Sequence, residues 1–186
     1  MILRPGIHVF HGSYMEIRTP ELNKCRPKKD FGRGFYVTTS REQAVRFTKT
    51  SVKKALYDGI IDVDNAKGIL NEYALLIDDS ITSYEFKDAD IEWLHCVVAH
   101  RRSGLFSNET EKWKSYDVIA GKIANDNTNL VITAYIDGVY GEAGTEKADN
   151  IAIGFLEPEN LANQICLRTP RALKCLEFVN SMEVKA

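Results

Sequence analysis

The chain has 186 residues, room for one domain with a sizeable core (residues 1–186) and too few for two domains of ordinary size. Its composition, 44% hydrophobic and 27% charged, is that of a folded globular chain and excludes a disordered or low-complexity reading. A formal net charge of −2 gives no general pull toward nucleic acid or an anionic membrane, so a nucleic-acid substrate would need a local basic patch.

Ile7 to Phe10 is β-branched and aromatic, a strand that runs into His11-Gly12-Ser13 and presents His11 at its end. A polar loop with Pro20, Pro27 and the cations of Lys24 to Lys29 follows, then Phe31 to Val37 as a glycine-led second strand. Ser40 is an N-cap with Gln43 in capping-box position, and Ala44, Phe47 and Val52 give the next helix a buried face as far as about Tyr57. Tyr73 to Ile77 reads as a strand, and a turn-rich connector leads to an amphipathic helix over Asp88 to Arg102. Ser103 to Ser115 is polar and reads as loop. Tyr116 to Ile123 resembles a strand interrupted by Gly121, and Leu130 to Ile136 is ambiguous with a lean to helix. An acidic start and an apolar second half predict a helix over Thr145 to Phe155. Leu161 to Leu167 is a late strand, and Pro170 opens a terminal helix through Leu176. Short strands separated by long helical insertions point to an α+β domain.

Cys25, Cys96, Cys166 and Cys175 are scattered, which predicts free thiols and no zinc site. Arg4 and Pro5 precede only a short apolar stretch, so no signal peptide is expected, and no run reaches the roughly 20 apolar residues that cross a bilayer. The expected location is the cytoplasm, away from membranes.

The chemistry concentrates in His11-Gly12-Ser13 and the Gly-rich Phe31 to Tyr36 segment. Glycine lacks a Cβ, so the backbone at Gly12 can approach a planar amide closely enough for main-chain hydrogen bonds. Tyr36 offers a flat face on which an electron-poor cationic ring such as nicotinamide could stack, a cation–π gain of roughly 0.5–2 kcal/mol.

These residues resemble the diphtheria-toxin-like branch of the ADP-ribosyltransferases, which includes the poly(ADP-ribose) polymerases. In that branch one strand ends in H-G-S or H-G-T, a second carries F-G-x-G-[IF]-Y, a helix with a further aromatic follows, and a late strand supplies a third catalytic position. This chain has His11-Gly12-Ser13, then Phe31-Gly32-Arg33-Gly34-Phe35-Tyr36, then Phe47 on the capped helix, in that order. Asp30 to Thr38 and Asn163-Gln164-Ile165 also resemble a largely uncharacterised bacterial group with H-G-S, D-F-G-x-G-F-Y-x-T and a late N-Q-I or D-Q-I segment. The likeness is concentrated in Ile7 to Phe47 and Leu161 to Leu173.

The resemblance implies a split β-sheet core with helical insertions and NAD as substrate, with no metal. It implies that His11 bonds the adenosine ribose, that Gly12 binds the carboxamide through its backbone with Ser13 adding a hydroxyl, and that Gly34 belongs to the donor site. Tyr36 and Phe47 would sandwich the ring, and Gln164 would take the third position. Polymerase members carry Glu there; a neutral Gln gives weaker stabilisation of developing positive charge, which argues for single transfer rather than elongation. The expected activity is mono-ADP-ribosylation of an intracellular macromolecule, and the cellular role it implies is the toxin of a bacterial toxin–antitoxin pair with an antitoxin protein as partner. The alternatives are an NAD glycohydrolase and a catalytically inactive NAD- or ADP-ribose-binding module.

Taken singly, each residue has a plainer reading. His11 is a turn residue, Tyr36 and Phe47 are core aromatics, and Gln164 is a solvent-facing residue on an edge strand. Glu142, Glu146, Glu157 and Glu159 are rival carboxylates. His8, His95 and His100 lack metal-site spacing and read as structural or solvated. Arg101-Arg102 complements the end of its helix, with a basic contact to a pyrophosphate as the alternative, and Lys24 to Lys29 is a solvated loop or, by the resemblance, a lid.

Overall fold

The computed structural model describes residues 3–123, 126–156 and 161–185; Glu157 and Glu159 lie outside that set. In chain order the elements are β1 (Ile7–Ser13), β2 (Phe35–Val37), α1 (Arg41–Tyr57), β3 (Gly68–Leu75), β4 (Ser83–Glu85), α2 (Ile91–Arg101) and α3 (Ser107–Lys114). Then come β5 (Val118–Lys122), α4 (Asp126–Ile136), α5 (Glu146–Leu156), β6 (Asn163–Leu167), α6 (Pro170–Leu173) and β7 (Leu176–Val184). This is a mixed α+β architecture with two sheets and, among the described residues, six α-helices.

The first sheet is antiparallel in the order β1-β3-β7, and the second runs β2-β6-β5-β4 with only its β4–β5 pair parallel. Strand alternation sorts the side chains between two cores. Val9, Tyr73 and Leu75 of the first sheet meet Phe35, Val37, Val118, Ala120, Ile165 and Leu167 of the second. The alternate residues Ile119 and Cys166 turn instead to a core built with Trp93, Val97, Trp113, Ile132 and Ala152 from the helices. Helix α1 lies on β1 and β3 of the first sheet. Helix starts obey local chemistry: Ser40 Oγ accepts from Gln43 N at 3.2 Å, and Asp90 Oδ1 accepts from Trp93 N at 2.9 Å, each satisfying an otherwise unpaired first-turn N–H.

Several expectations need correction. The second strand occupies only Phe35–Val37, because residues 31–34 form a turn held by the Tyr36 side chain. The Ser103 to Ser115 loop contains α3, a polar helix whose anchor is the fully buried Trp113. The connector before α2 holds β4, which pairs with β5. The terminal helix stops at Leu173, and the chain then becomes β7 against β3. Gly121 does not interrupt its strand; it sits opposite Gln164 in register, and a Cβ there would press on Phe31 and Phe86 at 3.1–3.2 Å.

Candidate functional site at the split between the sheets

Strands β1 and β2 meet at one isolated bridge, where Phe10 N donates to Thr38 O at 2.8 Å and Thr38 N donates to Phe10 O at 2.9 Å. Phe10 thus spends both main-chain groups on Thr38, the residue that follows β2, so on β1 the groups two residues further along point to the same side. Those belong to Gly12, and continuing the register would set Gly12 opposite Tyr36. The ladder stops instead. The Tyr36 carbonyl is taken by the His11 imidazole, whose Nδ1 donates to it at 2.7 Å. Gly12, itself buried, therefore turns one N–H and one C=O toward the β2 side, without a ladder partner there among the described residues.

On its other side Gly12 is closed. A Cβ would stand 2.1 Å from the carbonyl oxygen of Ala44 and 3.0 Å from Thr48 N, so α1 seats directly on the strand backbone. Ser13 is buried beside it and its Oγ accepts from Met15 N at 3.3 Å, which turns the chain out of β1.

The His11 ring packs on Phe35 with centroids 4.5 Å apart. Because the Nδ1 partner is a carbonyl, which can only accept, the proton is assigned to Nδ1 and the lone pair to Nε2. Burial lowers the His11 pKa below its usual 6.5, opposed in part by the Tyr36 carbonyl, so the ring is neutral at pH 7.

Tyr36 projects to the helix side, beside Cys166, its register partner on β6. Its hydroxyl donates to Gly32 O at 2.8 Å and accepts from Phe31 N at 2.9 Å, pinning the glycine turn that precedes it. Burial, and then Cys166, push its pKa well above 10, so Tyr36 offers a ring and not an acid or base. Gly34 lies flat on β6: a Cβ would meet Cys166 Sγ at 2.4 Å and Leu167 O at 2.7 Å. It permits packing of the turn against β6.

Phe47 departs from its core reading. It is 46% exposed, while α1 buries Ala44, Thr48, Val52 and Ala55, and among the described residues its ring stacks on no other aromatic, Tyr36 included. The edge-strand reading of Gln164 is also overturned. It is 5% exposed on β6, which lies between β2 and β5. Its Nε2 donates to Asp30 Oδ2 at 2.7 Å and to Lys122 O at 3.2 Å. Asp30, itself buried, receives Arg101 Nε on Oδ1 at 3.0 Å.

The three strands are thereby connected. His11 holds the main chain of Tyr36, the Tyr36 hydroxyl holds Phe31, and the neighbouring Asp30 holds Gln164. No hydrogen bond joins His11 to Gln164 among the described residues. The sequence marks Asp30 only as the head of the Asp30 to Thr38 motif and reads Arg101 as a helix-end cation; their pairing with Gln164 comes from the fold. The remaining histidines have local partners. His95 Nε2 meets Asp149 at 2.9 Å in a cluster with Tyr135, His100 Nδ1 meets Cys96 O at 2.8 Å, and His8 meets Glu72 at 2.5 Å. Glu142 and Glu146 are exposed. Among the described residues the cysteines are free and no group of His, Cys, Asp and Glu could hold a metal. A groove of about 470 Å³ between residues 18–23 and α6, lined in part by Leu22, Leu173 and Lys174, includes none of His11, Tyr36 and Gln164.

The class defined here is an α+β fold of two sheets that part between β1 and β2, with a histidine, a tyrosine and a glutamine on the strands around the parting. The chain belongs to the family described as "Protein of unknown function (DUF3990)", whose profile matches residues 7–178. No curated protein matches it. Among the described residues no helix is long and apolar enough to cross a membrane.

Proposed function

We propose that the chain is an NAD-dependent mono-ADP-ribosyltransferase that modifies an intracellular macromolecule. The observation that carries this reading is the end of pairing after the Phe10–Thr38 bridge, where Gly12 keeps one main-chain donor and one acceptor without a strand partner. A carboxamide needs that pair, since its C=O accepts and its NH₂ donates. A neutral His11 beside it, with a lone pair on Nε2, can accept a hydrogen bond from a ribose hydroxyl without repelling the nicotinamide cation.

In the proposed reaction the bond between the nicotinamide nitrogen and the ribose carbon breaks, and its electron pair leaves with neutral nicotinamide. The cationic ribose carbon takes a lone pair from the acceptor nucleophile, which releases its proton to solvent. The uncharged Gln164 also supports a second reading, NAD hydrolysis, with water in the acceptor's place. A toxin role with an antitoxin partner is the cellular form of the first reading.

The test is incubation of the pure chain and cell lysate with NAD labelled in its adenylate. Label on a macromolecule with nicotinamide release is expected for the transferase, and release without label is the hydrolase outcome. NAD binding without turnover marks a binding module, and no label, no release and no binding overturns the NAD reading altogether.

A further inference from the structure

We propose that Asp30 is the positioning residue of the third site position: its carboxylate, clamped by Arg101, captures the Nε2–H of Gln164 and leaves Gln164 Oε1 as the acceptor for a ribose hydroxyl. This role rests on the NAD reading and deepens it. A glutamine amide has two ends of similar shape and opposite character, and an unheld one can present either. The wrong end would aim N–H dipoles at a carbon gaining positive charge. Gln164 has no such freedom, because both partners of Nε2, Asp30 Oδ2 at 2.7 Å and Lys122 O at 3.2 Å, can only accept. A flip would set Oε1 against a carboxylate and a carbonyl, two repulsive contacts in a buried setting.

Arg101 is what makes a carboxylate tolerable there. Asp30 is 8% exposed, and Arg101 directs Nε and Nη2 onto its Oδ1, leaving Oδ2 for the amide. The carboxylate also stands one amide away from the position where a charged residue would otherwise serve. It polarises Gln164 toward a stronger acceptor and adds negative potential where positive charge would develop. The next residue, Phe31, gives its N–H to the Tyr36 hydroxyl, so one stretch of backbone sets both the ring and the amide.

The test is steady-state nicotinamide release from NAD by the full chain, with thermal unfolding in parallel, for the wild type, Asp30→Asn, Gln164→Glu and the double variant. Asp30→Asn is expected to lower kcat by roughly 10- to 100-fold with little change in KM, the signature of a misplaced group rather than lost binding. Gln164→Glu puts two carboxylates in hydrogen-bond reach, so they cannot both ionise freely, and its pH–rate profile is expected to gain an ionisation absent from the wild type. The double variant restores an amide–carboxylate pair and is expected to exceed Asp30→Asn in kcat and to lose the added ionisation. A folded Asp30→Asn with wild-type kcat overturns the proposal, as does a double variant no better than Asp30→Asn. Should Asp30→Asn fail to fold, Gln164→Glu keeps Asp30 and its Arg101 partner, and an unaltered pH profile there overturns the proposal. A wild type that neither binds NAD nor releases nicotinamide overturns the NAD reading itself, an outcome separate from any of these.

Discussion

At the scale of single residues, His11 couples the site to acidity. Its folded pKa lies below the unfolded 6.5 because burial disfavours the imidazolium, and His100 is lowered for the same reason. Over the window between those values the unfolded chain binds more protons than the folded one, so stability falls as pH falls from about 6.5 and is level above it. Thermal unfolding from pH 7.5 to 5 is expected to show that decline, and His11→Asn is expected to make it shallower, with His100 supplying the remainder. An equally steep decline in the variant would remove His11 as a contributor. His11 and Tyr36 were legible in the sequence because they stand in a glycine-rich context whose spacing is informative. Asp30 was not, since a carboxylate in a polar loop reads as solvated until the partners from α2 and β6, far along the chain, are brought to it.

At the scale of elements, Gly12 shows why a glycine in a binding motif need not be there for the ligand alone. The clash of a Cβ is with Ala44 backbone, which cannot rotate away, so Gly12→Ala must shift α1 off the first sheet. Chemical denaturation is expected to show a loss of about 1–3 kcal/mol or more, the ordinary range for overpacking. A loss below roughly 0.5 kcal/mol, the scale of neutral surface changes, would mean that α1 is not seated as described. The elements read correctly from sequence were those with caps and periodic apolar faces, such as α1, α2 and β6. The ones missed carry little apolar signal of their own. α3 has a single buried anchor, Trp113, and β7 is a half-exposed edge whose place is set by pairing with β3, more than a hundred residues earlier at every pair. Phe47 failed in the opposite sense, because helical spacing marked it as inward while the sheet beneath α1 takes the faces of Ala44, Thr48 and Val52.

At the scale of the whole molecule, the two sheets share a packed interior but exchange main-chain hydrogen bonds between β1 and β2 at a single residue pair. The Phe10 and Thr38 amide protons therefore act as a latch that can be timed. Their exchange with deuterated water reports how often the two sheets part, and a ligand seated across the parting should hold them shut. With NAD at a hundredfold excess over its Kd, mass action supplies about 2.7 kcal/mol, close to a 100-fold slowing for any opening that expels the ligand. Unchanged exchange at these two amides in a chain that consumes NAD would move the nucleotide elsewhere on the surface. The bridge that ends the ladder thus doubles as a clock on the doorway it borders, readable by NMR before any acceptor is known.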